Sequence, residues 1–211
     1  MISLSESNND NNDYNEIMLK YQFAMQRLET ELDILIKEYA FRNSYNPVEH
    51  VKTRIKSMNS ILDKLKRKDL EVSPTNILRN IHDVVGVRII CSFLSDVQTI
   101  VSIIKSSKQF IIIEENDYIK NPKTTGYSSY HLNILVPVHL FDIVEYVEAE
   151  IQIRTVAMDC WASLDHKLQY KLPQEIPEEI KKDMSIKAAE MRQLDQSMQR
   201  LYDIIKNYKT N

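Results

Sequence analysis

Two carboxylates in this sequence stand beside residues that bind anions, a combination that suits phosphate chemistry. The first is Asp83, which is followed by Gly86 and Arg88 in the stretch HDVVGVR. A glycine in a strand often marks the close approach of a ligand, a carboxylate can hold Mg²⁺, and an arginine can bind phosphate or stack on a base. Strict alternation would place Asp83 and Arg88 on opposite faces of a strand. We therefore expect Asp83 to lie just before the regular strand, or Gly86 to mark a bulge.

The second carboxylate is Glu150, in the alternating stretch EAEIQIRT. A period of two places four polar side chains on one strand face, those of Glu148, Glu150, Gln152 and Arg154. The segment that follows has a helical pattern and carries Asp159, Trp161 and His166. An exposed, salt-bridged strand face is one interpretation, but a polar face beside such a helix favours a cleft.

A third group of polar side chains surrounds Gly126, one of two glycines in the chain. Alternation from Tyr127 places Tyr127, Ser129 and His131 on one face of a strand. Gly126 permits the loop that carries Lys123 to turn sharply into that strand. A ring, a hydroxyl and an imidazole approached by a lysine suit a nucleotide site. The alternative is a half-buried strand whose polar residues face water.

Arg54 and Lys56 open a basic stretch between residues 50 and 70. Most such stretches form a solvated helix face, and binding of an anionic ligand is the alternative. The neighbouring pair His82-Asp83 does not predict a metal phosphohydrolase. Such sites gather further histidines and aspartates from helices, whereas this pair leads into a predicted strand.

Composition excludes several classes of function. The chain has 211 residues and a net charge of −3, which argues against a general nucleic-acid coat. No apolar run approaches the roughly 18 residues that a membrane helix needs, and the polar N-terminus lacks the pattern of a secretion signal. We therefore expect a cytoplasmic protein without membrane contact, in which Cys91 and Cys160 are buried, reduced thiols.

Hydrophobic periodicity identifies the elements that must position these residues. It predicts helices over 14–42, 57–68, 95–108, 155–171 and 177–208. Ser73, before Pro74, and Ser95 are predicted N-caps of helices. Apolar, β-rich runs predict strands over 84–93, 110–115, 127–138 and 143–154. This order predicts an α+β fold with a mixed, mostly antiparallel sheet, one crossover helix and flanking N- and C-terminal helices.

The same patterns divide the chain into four segments. They are a disordered Ser/Asn/Asp-rich tail (1–13), an N-terminal helix (14–45), a central domain (46–171) and a C-terminal helical extension (172–211).

The motifs together resemble the synthetase domain of the Rel/SpoT (p)ppGpp synthetases, and above all the small alarmone synthetases of the RelQ/RelP type. The resemblance covers roughly residues 48–171. It rests on Arg54-x-Lys56, Asp83-x-x-Gly86-x-Arg88, Asp117-Tyr118-Ile119, Lys123-x-x-Gly126-Tyr127-x-Ser129-Tyr130-His131, Glu150-Ile151-Gln152-Ile153-Arg154-Thr155 and Trp161-Ala162 followed by His166. Each motif alone is weak, but all of them in this order and spacing are specific. The resemblance implies a nucleotidyltransferase-like sheet and makes the central domain a synthetase domain.

The resemblance also implies how the site residues divide their work. Asp83 and Glu150 would bind Mg²⁺ on the phosphates of ATP, and Glu150 would also take the proton of the acceptor's 3′-hydroxyl. Arg54 and Arg88 would sandwich the adenine, while Lys56 contacts the ATP phosphates.

On the acceptor side, the resemblance implies that Tyr127 stacks on the guanine of GDP or GTP. Lys123 and His131 would contact the acceptor phosphates. The acceptor side would be completed by Gln152, Arg154, Asp159 and His166.

The implied reaction transfers the β,γ-pyrophosphate of ATP to the 3′-hydroxyl of GDP, GTP or GMP, giving an alarmone and AMP. Such a transfer depends on charge neutralisation and in-line positioning. The sequence leaves no room for a hydrolase domain, so we expect synthesis without degradation. The resemblance further implies a homotetramer formed through the terminal helices and allows regulation by (p)ppGpp or single-stranded RNA.

Two positions depart from the family pattern. Ser128 stands where small alarmone synthetases commonly have arginine, and Asp159 stands where some relatives have asparagine. Two other functions remain open at this point. A related enzyme could pyrophosphorylate adenine nucleotides or the 3′ end of tRNA, and a protein without activity could bind nucleotide or RNA.

Overall fold

The structure, a computed structural model, describes residues 3–170 and 176–210. Its elements are α1 (Ser3–Asn43), β1 (Val48–Ile55), α2 (Met58–Arg67), α3 (Pro74–Asn80), β2 (Val85–Cys91), α4 (Leu94–Ser106), β3 (Ile111–Asp117), β4 (Tyr130–His139), β5 (Val144–Thr155), α5 (Val156–Tyr170) and α6 (Glu178–Thr210). Among these residues, no helix combines the length and the apolar character that crossing a membrane requires.

The strands form one sheet in the order β1-β2-β5-β4-β3. Strands β2 and β5 are parallel, and the other neighbouring pairs are antiparallel. The predicted α+β class with a mixed, mostly antiparallel sheet and flanking helices is therefore confirmed. The parallel pair is important for the site, because its register places the start of β2 beside the middle of β5, with Gly86 next to Glu150.

The core lies between one face of the sheet and helices α1 and α4. Helix α1 contributes Ala24, Leu28 and Leu32 at a spacing of four residues, and each is at most 1% exposed. Ile151 and Ile153 of β5 belong to the same buried cluster. Because strand residues alternate between faces, the polar residues between these isoleucines lie on the opposite face of the sheet.

Strand β1 is missing from the sequence prediction, which placed Arg54 in a basic stretch with a helix face as its simplest interpretation. The strand lies at the edge of the sheet and pairs with β2 alone. Most of its residues are exposed or half-buried on both faces. An edge strand of this kind shows no alternation of apolar and polar residues, so periodicity could not detect it.

Helix ends were predicted with mixed success. Ser73 caps α3 as predicted, since its Oγ accepts from the backbone N–H of Asn76 at 3.2 Å. The prediction that Ser95 caps the next helix is wrong, because α4 begins after Phe93, whose N–H donates to the Asp96 carboxylate at 3.2 Å. The N–H of Ser95 instead donates to the side chain of Gln199 in α6 at 2.9 Å.

The N-terminal helix and one cysteine also differ from expectation. Helix α1 begins at Ser3, inside the segment predicted as a disordered tail, and no proline or glycine interrupts it there. Cys91 is buried as predicted, but Cys160 is exposed. Helix α5 buries Met158 and Trp161 on its inner side, so Cys160 between them faces outward. The predicted boundary between residues 171 and 172 lies outside the described residues.

Candidate active site

Two rows of residues cross the sheet on the face opposite the isoleucine core. Strand pairing joins the first row, Arg54, Gly86, Glu150 and Asn133. It joins a second row, Lys52, Arg88, Gln152 and His131. Directly paired residues point to the same face of a sheet, so the register alone gathers five of the predicted site residues, Arg54, Arg88, His131, Glu150 and Gln152. A cleft of about 250 Å³ lies over these rows.

Asp83 lies in the turn before β2, and the pairing of β1 with β2 is continuous through Gly86. Of the two expected arrangements, the structure therefore shows Asp83 before the strand and no bulge at Gly86. The Asp83 carboxylate accepts from Lys56 Nζ at 2.5 Å and from Lys64 Nζ at 2.8 Å. Burial by itself raises the pKa of Asp83, but the two lysines outweigh it and hold the pKa below its ordinary value.

Lys64 is a site residue that the sequence analysis did not single out. It lies on α2, where Ile61 and Leu65 face the core. The helix thereby turns Lys64 toward Asp83, although 19 residues separate the two in sequence. The only signal for it in the sequence was its place in the basic stretch, which also contains lysines that do not contact Asp83.

Glu150 is held on both of its carboxylate oxygens. His131 Nδ1 lies 3.0 Å from Oε1, and Gln152 Nε2 donates to Oε2 at 2.6 Å. Burial and the nearby charge of Asp83 raise the pKa of Glu150, whereas His131 and Gln152 lower it, and the net shift is downward. Glu150 is therefore ionised at neutral pH, and its field reaches Asp83 across the parallel strand pair.

A hydrogen-bonded network continues from Glu150 through the residues predicted for the acceptor. Arg154 Nη2 donates to the Tyr127 hydroxyl at 2.6 Å and to Gln152 Oε1 at 2.6 Å. The Tyr127 hydroxyl lies 2.8 Å from His131 Nε2. The His131 ring thus lies between the Tyr127 hydroxyl at Nε2 and the Glu150 carboxylate at Nδ1.

Asp159, in the first turn of α5, contacts both Arg154 and Arg88. Its Oδ1 lies 3.1 Å from Arg154 Nη1 and 3.2 Å from Arg88 Nη1. Burial and the charge of Arg154 lower the pKa of Arg88, and Asp159 opposes that shift. One carboxylate therefore holds two guanidinium groups that would otherwise repel each other.

The loop before β4 turns at Gly126, where φ is 78°. The Gly126 N–H donates to the Lys123 carbonyl at 2.8 Å, and the Lys123 N–H donates to the Tyr127 carbonyl at 3.1 Å. Lys123 Nζ lies 4.7 Å from the ring centroid of Tyr118 and 5.3 Å from that of Tyr127. The turn brings a lysine over two tyrosine rings, and Tyr118 received no role in the sequence analysis.

His166 stands apart from the other predicted acceptor residues. It is exposed and lines an open cleft together with Arg54, Lys56 and Arg67. The predicted site residues thus form two groups on one sheet. Arg54, Lys56, Asp83 and His166 lie on the β1 and α2 side, and Lys123, Tyr127, His131, Gln152, Arg154 and Asp159 lie on the β4 and α5 side. Glu150 and Arg88 lie between the groups.

Comparisons with known proteins identify the family to which this chain belongs. Residues 53–175 match the family described as the region found in RelA / SpoT proteins. The chain is 48% identical over 158 residues to the GTP pyrophosphokinase YwaC of Bacillus subtilis, with 75% of each chain covered. Small alarmone synthetase 2 from B. subtilis matches with a TM-score of 0.82 and 44% identity, over 90% of this chain and 98% of that chain.

A second solved structure is small alarmone synthetase 1 from B. subtilis bound to its product pppGpp. It matches with a TM-score of 0.83 and 32% identity, over 92% of this chain and 98% of that chain. The present chain belongs to the RelA/SpoT family and has the architecture of the small alarmone synthetases. The resemblance inferred from the motifs is therefore confirmed.

Proposed function

We propose that this protein is a GTP/GDP pyrophosphokinase that transfers the β,γ-pyrophosphate of ATP to the 3′-hydroxyl of a guanine nucleotide. One observation carries the proposal. Asp83 lies just before β2, and Glu150 lies on β5, the parallel neighbour of β2. Lysines and arginines lie on one side of these two carboxylates, and the Tyr127–His131–Arg154 network lies on the other side. A site of this form can hold two anionic nucleotides with a metal ion between them. The named activity of YwaC supports this assignment.

The donor set suits Mg²⁺. This ion prefers oxygen ligands and is usually bound by one or two carboxylates together with substrate phosphates. Asp83 and Glu150 supply two carboxylates that are close enough for the charge of Asp83 to affect the pKa of Glu150. Residues 3–170 and 176–210 contain no cluster of three or more side chains that could hold a metal ion. When bound, Mg²⁺ would neutralise charge on the transferred phosphates.

The residues of β1, α2 and β2 are assigned to ATP. Arg54 pairs with Gly86, and its side chain lies over this glycine, 3.6 Å from where a Cβ would be. Arg88 is two residues further along the same strand face, so the two guanidinium groups could hold a planar base between them. Lys56 and Lys64 bind Asp83 in the structure and lie where the phosphates of a nucleotide at this carboxylate would be. When the nucleotide binds, these lysines would leave Asp83 and contact the phosphates instead.

The residues of the loop, β4, β5 and α5 are assigned to the acceptor. Tyr127 would stack on guanine, and Lys123 and His131 would contact its phosphates. Gln152, Arg154 and Asp159 complete the assignment. His166, for which the resemblance implies the same role, lines the cleft with Arg54 and Lys56 instead and is not assigned to the acceptor here. The pppGpp bound to small alarmone synthetase 1 supports a guanine nucleotide on this fold.

Glu150 is the base in the proposed reaction. Its pKa lies below the ordinary value, so the carboxylate is ionised and can accept the proton of the 3′-hydroxyl. The 3′-oxygen forms a bond to the β-phosphorus of ATP, the bond from that phosphorus to the α,β-bridging oxygen breaks, and AMP leaves. The arginines and lysines around the cleft hold the reacting groups in line.

The test is thin-layer chromatography of products from labelled ATP and a panel of acceptors. The panel contains GMP, GDP, GTP, adenine nucleotides and tRNA. We expect transfer to guanine nucleotides and none to the others. Transfer to adenine nucleotides or to the tRNA 3′ end would replace the proposal with the other enzymatic function. Binding without transfer to any acceptor would indicate a non-catalytic nucleotide-binding protein.

We also propose that the protein is a homotetramer assembled through its terminal helices. Helix α6 carries a line of exposed apolar residues at heptad spacing, Leu194, Met198, Leu201 and Tyr208. Light scattering on the wild type and on Leu201→Glu tests this, with a loss of assembly expected in the variant.

Regulation by (p)ppGpp or single-stranded RNA is part of the proposal, and titration of each into the activity assay tests it.

A further inference from the structure

Helix α6, which contributes no residue to the motifs, touches the acceptor side of the cleft at two points. The first is the turn at Gly126. A Cβ placed on Gly126 would lie 2.1 Å from the Cβ of Ala188, so the loop backbone rests directly on α6. Ala188 is 2% exposed. The glycine is thus required by this contact as well as by its positive φ.

The second point is the junction of β5 and α5. The Thr155 hydroxyl donates to the Asp195 carboxylate at 2.7 Å, and both residues are buried. Thr155 Oγ1 also accepts from the backbone N–H of Met158 at 3.2 Å, which caps α5. Thr155 directly follows Arg154 and lies one turn before Asp159, so Asp195 fixes the junction between these two acceptor-side residues.

Both contacts come from one face of α6. Ala188 and Asp195 are seven residues apart, two helical turns, and Arg192 lies between them on the same face. Together with Trp161 they line a small cavity beneath the loop. The indole Nε1 of Trp161 donates to the carbonyl of Thr125, the residue before Gly126, at 3.2 Å. Helix α6, α5 and the loop therefore pack as one unit.

We propose that Ala188 and Asp195 are positioning residues, which hold the Gly126 turn and the β5–α5 junction so that Tyr127, Arg154 and Asp159 are already arranged for the acceptor. The proposal rests on the proposed function and adds a specific role for α6 within it. Neither residue touches the cleft itself. Loss of either contact should therefore weaken acceptor binding and leave ATP binding as it is, because both contacts are made to acceptor-side segments, the Gly126 turn and the β5–α5 junction.

The experiment compares Asp195→Ala with Asp195→Asn and with Asp203→Ala, a change at an exposed carboxylate of the same helix. We expect Asp195→Ala to raise the KM for GDP about tenfold with the KM for ATP unchanged, since a small displacement of positioned groups costs this much or more. Asp195→Asn keeps an oxygen that accepts from Thr155 and should restore most of the affinity. Asp203→Ala should match the wild type.

Trp161 is the only tryptophan and gives a second readout that does not need turnover. In Asp195→Ala its emission should shift to the red and its acrylamide quenching should increase, because Asp195 and Trp161 line the same small cavity and the truncated side chain opens it. If Asp195→Ala fails to fold, Ala188→Val gives the same test, since the larger side chain pushes against Gly126. Equal changes in both KM values, or no change in either, would overturn the proposal.

A failure of the proposed function gives a different result. Wild-type protein that transfers no pyrophosphate to any guanine nucleotide overturns that function. Calorimetric titration of GDP into wild type and Asp195→Ala then decides the role of α6, and equal GDP affinity in the two proteins would overturn it.

Discussion

The ATP side and the acceptor side of the cleft belong to the same sheet, but they hold their side chains in different ways. On the ATP side, Arg54 is exposed, and Lys56 and Lys64 are both bound to the one carboxylate of Asp83. On the acceptor side, Arg154 is 3% exposed and bonds Tyr127, Gln152 and Asp159 at once. The first side is held by ion pairs and the second by a buried network.

This difference has a physical consequence for substrate binding. The two ATP-side lysines share a single acceptor, the carboxylate of Asp83, and can leave it for the charged oxygens of arriving phosphates. A buried network in which each donor has a partner is rigid, because breaking one bond leaves a polar group unpaired. The acceptor side is therefore preformed, while the ATP side rearranges when the nucleotide and its metal ion arrive.

The largest effect should come from the residue between the two sides. Glu150→Gln removes the proposed base and one metal ligand, and should lower turnover by about 10²-fold or more with the fold intact. Steady-state assays and circular dichroism measure this. Glu148→Gln, on the same strand face and bonded to His82, is the matched control and should keep normal turnover. Near-normal turnover in folded Glu150→Gln would remove Glu150 from the mechanism.

The next effect should be confined to the acceptor side. Tyr127→Ala should raise the acceptor's KM about 5- to 150-fold, the range that base–aromatic stacking worth roughly 1–3 kcal/mol predicts, with little change in the KM for ATP. Tyr127→Phe keeps the ring but loses the hydroxyl contacts to His131 and Arg154. It should have a smaller effect than the alanine variant. An equal effect of Tyr127→Ala on both substrates would mean that Tyr127 is structural.

Asp159 tests whether the two sides are coupled. A carboxylate can accept from both N1–H and the 2-amino group of guanine, whereas adenine has an acceptor at N1 and does not offer this pair of donors. Asp159→Ala should lower kcat/KM for guanine nucleotides at least tenfold, with the KM for ATP nearly unchanged, whereas Asp159→Asn should cause a mild loss. Selectivity against inosine nucleotides, which lack the 2-amino group, should shrink in Asp159→Ala.

Two results would contradict that role for Asp159. A guanine-to-inosine ratio equal to that of wild type, together with lower thermal stability, would show that Asp159 serves the helix dipole of α5, an effect worth about 0.3–1 kcal/mol. A large rise in the KM for ATP would show instead that its contact with Arg88 is the important one.

The smallest effect should follow from weakening the ATP-side ion pairs. Lys64→Met should raise the KM for ATP about fivefold and lower the free energy of unfolding by about 1 kcal/mol at neutral pH. The pKa of Asp83 is lowered in the folded state, so its contribution is present above the ordinary pKa of 3.8 and is lost as pH falls through the folded pKa. Urea unfolding of both proteins should therefore differ at pH 7 and converge once the pH has fallen below the folded pKa of Asp83. Lys68→Met, an exposed change on the same stretch, is the control.

Much of the acceptor side could be predicted from the sequence, because local rules act there. The alternation of β5 places Glu150, Gln152 and Arg154 on one face, and the structure has them there. Gly126 and Thr155 act through short-range geometry, a positive φ and a helix cap, which leave a signature in one or two residues.

Less could be predicted where the arrangement depends on distant contacts. Strand β1 is polar on both faces and becomes a strand by pairing with β2. Lys64 reaches Asp83 because α2 packs in one orientation, and Ser95 is not a cap because Asp96 bonds Phe93 and Gln199 bonds Ser95. The contact of Ala188 with Gly126 joins residues that no sequence pattern relates.

The central claim is that a pyrophosphoryl group moves from ATP to a guanine nucleotide, and parallel labelling tests it most directly. Wild-type protein is incubated with Mg²⁺, GDP and ATP labelled in either the γ- or the α-phosphate, with 3′-deoxy-GDP as the control acceptor. We predict that the γ label appears in the guanosine product and the α label in AMP, with no transfer to 3′-deoxy-GDP. Appearance of the α label in the guanosine product, or release of the γ label as free phosphate without transfer, would contradict the account.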